Sequence, residues 1–233
     1  MMSRTEAPAM KRLFTMAVVA GFICLLVFGL SRWTTFAANK LPDAKVDESP
    51  AAKGSETAVF AGGCFWGIQG VFEHVKGVTN TAAGYSGGTL KNPSYEQVST
   101  ETTGHAESVE VTYDPSQITY GQLLKVFFSV AHDPTELNFQ GPDVGPSYRS
   151  AIFFGTPDQQ RIAKAYVQQL TDAKLFSHPI VTQIEPLKAF YRAEEYHQHY
   201  LDHNPDNPYI MINDLPKVAN LKKVYPELYV KGN

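Results

Sequence analysis

The stretch Thr57-Ala58-Val59-Phe60-Ala61-Gly62-Gly63-Cys64-Phe65-Trp66-Gly67-Ile68-Gln69-Gly70-Val71-Phe72-Glu73-His74-Val75 decides how this chain is read. Residues 57–60 form a short apolar strand candidate that stops at two glycines. From residue 64 to 75 the apolar residues Phe65, Ile68, Val71, Phe72 and Val75 recur at helical spacing. Cys64 therefore falls at a strand-to-helix turn, at the N-terminus of the helix. There, unpaired backbone N–H groups and the helix dipole favour a thiolate, which predicts a lowered thiol pKa. The alternative is an inert buried cysteine, a common fate for a free thiol. The chain contains one other cysteine, Cys24.

Further along, residues 107–113 alternate Val109, Val111 and Tyr113 on one face, a strand pattern. Residues 119–131 form an amphipathic helix through Leu123, Leu124, Phe127 and Phe128. Residues 150–154 form a short strand, and Pro157 starts a helix that runs to about 170. Residues 180–184 alternate again. Residues 84–88 read as a loop, residues 193–203 as a polar helix, and the tail after Asn204 as rich in Pro, Asn and Tyr. Strands and helices interleave without a regular βα repeat. An α/β (α+β) two-layer sandwich with a ferredoxin-like core is expected, a mixed sheet with helices packed on it. No Gly-x-Gly-x-x-Gly follows a strand, so a dinucleotide cofactor is not indicated.

The chain has 233 residues, 43% of them hydrophobic, and a net charge of −3. There is core enough for one domain with an appendage, and no basic surface to argue for nucleic acid. Arg4, Lys11 and Arg12 precede an uncharged apolar run over residues 13–30, followed by Thr35-Phe36-Ala37. A basic start, an apolar middle and a small-x-small end describe an export signal; the run is also long enough to be a retained anchor. The basic flank holds the N-terminus in the cytoplasm, so the remainder is exported. Residues 1–37 are expected to be signal or anchor, 38–54 a flexible linker with Pro42 and Pro50, and 55–233 the catalytic domain.

Three more constellations carry chemistry. Gly104-His105-Ala106-Glu107 places a carboxyl group at the start of a strand. In an apolar pocket its pKa would rise and it would serve as a general acid; alone, it reads as an ordinary strand-end glutamate. Residues 143–150, Asp143-Val144-Gly145-Pro146-Ser147-Tyr148-Arg149-Ser150, form a turn-rich loop with an acid, a phenol and a guanidinium. Loops of this kind often carry function, although a solvated turn has the same composition. Tyr196-His197-Gln198-His199-Tyr200 puts His199 and His203 four residues apart, but no cysteine completes a zinc set, and a polar helix face is the default.

Seven runs then appear in one order: Gly-Cys-Phe-Trp-Gly at 63–67, Gly-Tyr-Ser-Gly-Gly at 84–88, Pro-Ser-Tyr ending at Tyr95, Gly-His-Ala-Glu at 104–107, His-Asp-Pro-Thr at 132–135, Tyr-Arg-Ser at 148–150 and Tyr-His-Gln-x-Tyr at 196–200. Together they resemble the peptide methionine sulfoxide reductase A family over most of residues 57–209. The resemblance implies that Cys64 is the nucleophile and Glu107 the proton donor to the sulfoxide oxygen. Tyr95 and Tyr148 would hydrogen-bond that oxygen, Phe65 and Trp66 would wall in the S-methyl group, and Asp143 would organise the site and a water. The S epimer of methionine sulfoxide, free or in oxidised proteins, would become methionine, leaving a sulfenic acid on Cys64.

No cysteine follows Cys64, whereas many members of the family carry resolving cysteines near the C-terminus. A single-cysteine form is expected: no bound cofactor or metal, and an external thiol reductant, either a small thiol or a thioredoxin- or glutaredoxin-like protein. The family resemblance implies a monomer; the N-terminal segment implies the extracytoplasmic or periplasmic side, with a membrane tether if that segment is kept. Two other readings stay in view. One is a cysteine hydrolase or acyl transferase pairing Cys64 with His105 or His197; the other is a non-catalytic, membrane-tethered binding module.

Overall fold

Strand β1 (Glu56–Ala61) alternates into the middle of a sheet because Phe60 and Ala58 face one layer and Val59 and Ala61 the other; all four are buried. The computed structural model describes residues 38–49 and 53–232. Gly62 and Gly63 end β1, and helix α1 (Phe65–Glu73) leaves with Cys64 as its N-cap. Gly63 has φ 92°, a left-handed conformation that suits glycine, and a Cβ there would stand 2.6 Å from Gln140 Cβ.

After α1 come β2 (Val78–Ser86), the short helix α2 (Tyr95–Val98), β3 (Ala106–Tyr113) and α3 (Tyr120–Val126), which runs into a π-turn, Phe127–Ala131. The hairpin β4 (Phe139–Gln140) and β5 (Asp143–Val144) and a 3-10 turn, Pro146–Tyr148, lead to β6 (Ala151–Phe154). Helix α4 (Pro157–Asp172) follows, then β7 (Gln183–Pro186) and β8 (Phe190–Arg192). A 3-10 turn, Glu195–His197, then α5 (Tyr200–His203), a π-turn, Ile210–Asp214, and α6 (Leu215–Val224) complete the order.

The large sheet runs β7-β6-β1-β3-β2-β8. Its inner four strands, β6-β1-β3-β2, are antiparallel neighbour to neighbour, which makes β1 and β2 parallel with β3 between them. With α1 and α3 as the intervening helices this is the βαββαβ arrangement of a ferredoxin-like core, as expected. The parallel β6–β7 pair makes the sheet mixed. The core is aromatic where helices meet the sheet: the Phe60 ring stacks on Phe72 at 5.2 Å and on Phe127 at 5.0 Å.

Start signals in the sequence work as local chemistry predicts. Thr119 and Gln122 form a reciprocal capping box at α3, and Thr156 caps α4 ahead of Pro157. The stretch read as a linker behaves differently over residues 38–49. Leu41 is buried and its N–H donates to the Tyr225 hydroxyl. Asp47 accepts from Thr119 Oγ1 and the Gly121 N–H, and Glu48 from the Tyr120 N–H. Two carboxylates thus satisfy the orphan N–H groups of α3, so the packed domain begins upstream of Ser55.

Three other expectations change. Residues 84–86, expected in a loop, finish β2, with Gly84 required because a Cβ would stand 2.4 Å from the Phe190 ring and the Tyr191 carbonyl. The helix expected over 193–203 is broken at His199, which has φ 54°. The Gln198 amide spends itself on Ala83 and on the Ala193 carbonyl, tying this segment to β2. The strand expected at 180–184 starts three residues later, at Gln183. The apolar run over 13–30 and Cys24 lie outside the described residues. Among the described residues no helix is long and apolar enough to cross a membrane.

Candidate active site

The turn from β1 into α1 leaves Cys64 at a helix N-terminus with no side-chain cap, 8% exposed. Next to it the Phe65 N–H donates to Glu107 Oε2 at 3.0 Å. Glu107 enters from the start of β3 and is 4% exposed. Burial pushes its pKa to about 8, and Asp143, Glu101 and Asp214 add repulsion, while the single Phe65 N–H opposes the rise. Glu107 therefore holds its proton at neutral pH, as the sequence reading required of a general acid in an apolar pocket.

Cys64 departs from the expected lowered pKa. Burial pushes the thiol well up, and Glu107, Asp214 and Asp143 reinforce the shift; the Trp66 N–H, directed at the sulfur, works against it. The helix terminus is present, but desolvation and neighbouring acids outweigh it. In the free site Cys64 is a thiol.

The two phenols and Asp143 come to the same place. Tyr148, on the 3-10 turn, has its pKa raised by burial first and then by Glu107, Asp143, Tyr95 and Cys64. Tyr95, at the start of α2, is raised by burial and then by Glu107, with Cys64 and Asp143 also contributing. Both phenols therefore keep their protons and remain donors. The Tyr95 N–H donates to Glu194 Oε1 at 2.8 Å, and the Tyr85 hydroxyl donates to Glu194 Oε2 at 2.9 Å, which anchors α2 against β2. Asp143 accepts from the Tyr209 hydroxyl.

Phe65 and Trp66 form an aromatic wall. The Trp66 ring stacks on Tyr200 at 3.8 Å and meets Tyr209 edge-on at 5.9 Å. Its Nε1–H donates to His197 Nδ1 at 3.2 Å, and the His197 ring packs between Phe65 and Tyr95 at 4.9 and 4.5 Å. Trp66 is thus fixed in orientation by a stack, an edge contact and a hydrogen bond.

The sequence reading missed Tyr209, Tyr200 and His197 as wall residues, and the Asp214–Lys217 pair against Gly67. The Asp214 side chain is wholly buried, pairs with Lys217 Nζ at 3.1 Å and sits against Gly67, where a Cβ would stand 2.1 Å from Oδ1. Only Pro216 in the first turn of α6 could have flagged the element that carries Lys217.

Neither histidine of the hydrolase reading hydrogen-bonds Cys64. His197 Nδ1 is taken by Trp66, and the buried His105 ring packs edge-on against Tyr191. His132, in the His-Asp-Pro-Thr run, bonds Ser150 Oγ and the Phe127 carbonyl and is structural. His199 Nδ1 binds Glu73 Oε1 at 2.5 Å, and among the described residues no group of three His, Cys, Asp or Glu is arranged for a metal ion.

A family model described as peptide methionine sulfoxide reductase matches residues 56–228. Over 182 residues the chain is 63% identical to peptide methionine sulfoxide reductase MsrA 2 of Mesorhizobium japonicum, covering 78% of this chain and 93% of that protein. It is 50% identical over 190 residues to peptide methionine sulfoxide reductase MsrA 2 of Synechocystis sp., covering 80% and 89%. Among solved structures, Mxr1 from Saccharomyces cerevisiae in reduced form is similar with a TM-score of 0.59 and 35% identity, covering 70% of this chain and 92% of that one. Methionine sulfoxide reductase A of Corynebacterium diphtheriae is similar with a TM-score of 0.58 and 38% identity, covering 72% and 84%.

Proposed function

The chain belongs to the peptide methionine sulfoxide reductase family, and we propose that Cys64 carries its reduction of methionine sulfoxide to methionine. The observation that supports this most is the neutral, buried Glu107 held by the amide next to Cys64. A sulfoxide sulfur becomes electrophilic when its oxygen is protonated or strongly hydrogen-bonded. Glu107 supplies the proton, and the Tyr95 and Tyr148 hydroxyls supply hydrogen bonds. Cys64 Sγ attacks the sulfoxide sulfur as the thiol proton leaves. The oxygen ends on Cys64 as a sulfenic acid and the substrate departs as the thioether; the cysteine is oxidised by two electrons and the sulfoxide reduced by two. The departing thiol proton restores Glu107.

Phe65 and Trp66 take the S-methyl group and exclude water. With the wall on one side and the oxygen donors on the other, the pocket is chiral and accepts the S epimer, in free methionine sulfoxide or in oxidised proteins. Asp143, tied to Tyr209, organises the polar side of the pocket.

Cys64 is the single cysteine among the described residues, and the chain's other cysteine, Cys24, stands in the N-terminal apolar run. The sulfenic acid is therefore reduced by an external thiol, from a small molecule or a thioredoxin- or glutaredoxin-like protein: one thiolate attacks Sγ and expels water with a proton, and a second thiol releases Cys64 from the mixed disulfide. The protein acts outside the cytoplasmic membrane, a reading supported by the basic residues ahead of the apolar run over 13–30; fractionation with and without signal-peptidase inhibition separates a cleaved signal from a retained anchor. The assignment of Cys64 is tested with Cys64→Ser, which must form no methionine from a methionine sulfoxide peptide; substantial turnover contradicts it.

A further inference from the structure

Glu101 lies between α2 and β3 with φ 62°, in the left-handed region. A residue with a Cβ and no glycine-like freedom adopts that region at a cost in free energy, and such conformations gather where function requires them. The carboxylate accepts two hydrogen bonds from one residue: the Ser147 N–H reaches Oε2 at 2.8 Å and Ser147 Oγ reaches Oε1 at 2.6 Å. It also fills the space beside Gly145, where a Cβ would stand 2.5 Å from Glu101 Cδ.

Ser147 immediately precedes Tyr148 and is itself buried, but the chain leading to it is open. Pro146 is exposed and Val144 is 76% exposed. What holds the turn is lacing to the segment before β3. Glu101 grips it at Ser147, and Arg149 crosses the other way, donating from Nη2 to the Gly104 carbonyl at 3.1 Å and from Nη1 to the Pro146 carbonyl at 3.0 Å. The segment they grip leads through His105 and Ala106 into Glu107. On its other side, the Glu101 N–H donates to the Val98 carbonyl at 2.9 Å, closing the turn that ends α2 behind Tyr95. Glu101 therefore joins the three elements that carry Tyr95, Glu107 and Tyr148.

We infer that Glu101 is a positioning residue whose clasp on Ser147 holds the Tyr148 phenol in register with Glu107 and Cys64. The inference rests on the reductase reading above and adds to it the residue that sets the placement of the oxygen-binding donor. Its carboxylate oxygens are both engaged by Ser147, so it acts through the turn and not on substrate. A donor displaced by a fraction of an ångström stabilises a developing charge poorly, which is why a turn entered by an exposed chain needs a clasp.

The test is single-turnover methionine formation by the pre-reduced protein, with substrate affinity measured separately. Glu101→Gly is the informative change because glycine relaxes the positive φ while removing the clasp. The relaxed φ offsets part of the stability lost with the two Ser147 hydrogen bonds, so its melting temperature is expected to fall modestly, while below that transition the limiting rate falls about tenfold or more and affinity for the sulfoxide changes little. Glu101→Gln, which keeps an oxygen for the Ser147 N–H, is expected to recover part of the rate. In a Tyr148→Phe background Glu101→Gly is expected to change the rate less than about twofold, since the two act as one unit. A wild-type rate in Glu101→Gly, or the same fold-loss in both backgrounds, overturns the clasp. If Glu101→Gly loses its melting transition, the Gln variant decides by the same cycle. A wild-type protein that forms no methionine overturns the reductase reading itself, a result distinct from either.

Discussion

The backbone N–H of Phe65 donates to Glu107 Oε2 at 3.0 Å, so the residue after the sulfur holds the acid. One amide bond is too little to offset burial, and Glu107 stays protonated to about pH 8. The limiting single-turnover rate of methionine formation is expected to be highest below about pH 8 and to fall as pH rises through that value. Glu107→Gln is expected to be slower by about 10²–10⁴-fold and to lose that descending limb. Near wild-type rates in the Gln variant remove Glu107 as proton donor.

The same shift predicts a stability effect. The folded-state pKa of Glu107 lies above the unfolded value, so the folded protein binds the extra proton between roughly pH 4.5 and 8 and loses stability as pH rises through that window. Glu107→Gln has no ionised form to bury. Its stability advantage over the wild type, measured by urea unfolding, is expected to grow from pH 5 to pH 8 and then level off.

Cys64 is protonated in the free site because burial and three acids outweigh the helix N-terminus. Alkylation by iodoacetamide is expected to be slow at pH 7 and to accelerate only at alkaline pH. Rapid alkylation at pH 6 to 7, with a midpoint below that of a free thiol, contradicts the burial account.

Tyr95 and Tyr148 reach the site from different elements, α2 and the 146–148 turn. Tyr148→Phe and Tyr95→Phe are each expected to lower the limiting rate by about 10–100-fold, with melting temperatures close to wild type. Tyr209→Phe is expected to change activity through Asp143, which loses its hydroxyl donor.

Much of this arrangement is readable from residue pattern, and the exceptions have physical causes. β1 is a short apolar run, α1, β3, α3 and α4 show plain periodicity, and α3 and α4 also carry side-chain caps. β2 has no strand signature in the sequence because residues 81–86, Thr-Ala-Ala-Gly-Tyr-Ser, are buried on both faces and show no alternation. The 193–203 helix pattern fails because Gln198 bonds another strand's backbone, a tertiary contact that no local rule contains. Of the site, Cys64, Glu107, Tyr95, Tyr148, Asp143, Phe65 and Trp66 sit in quotable runs, whereas Glu101, Asp214 and Lys217 owe their roles to contacts made only in the fold.

Gly67 illustrates the last point. Its Cα faces the buried Asp214 and its partner Lys217, and a Cβ would stand 2.1 Å from Asp214 Oδ1. Gly67→Ala is expected to destabilise the protein by about 1–3 kcal/mol in urea unfolding, despite the better helix propensity of alanine. A stabilised Ala variant contradicts this packing.

The central claim is that one thiol, Cys64, carries the reductive step and retains the oxygen. The direct measurement mixes the pre-reduced protein, freed of reductant, with excess methionine S-sulfoxide peptide, then counts methionine per protein while trapping sulfenic acid. One methionine per protein, with sulfenic acid trapped on Cys64, is the predicted result. No methionine, or methionine formed without any oxidation of Cys64, would contradict it.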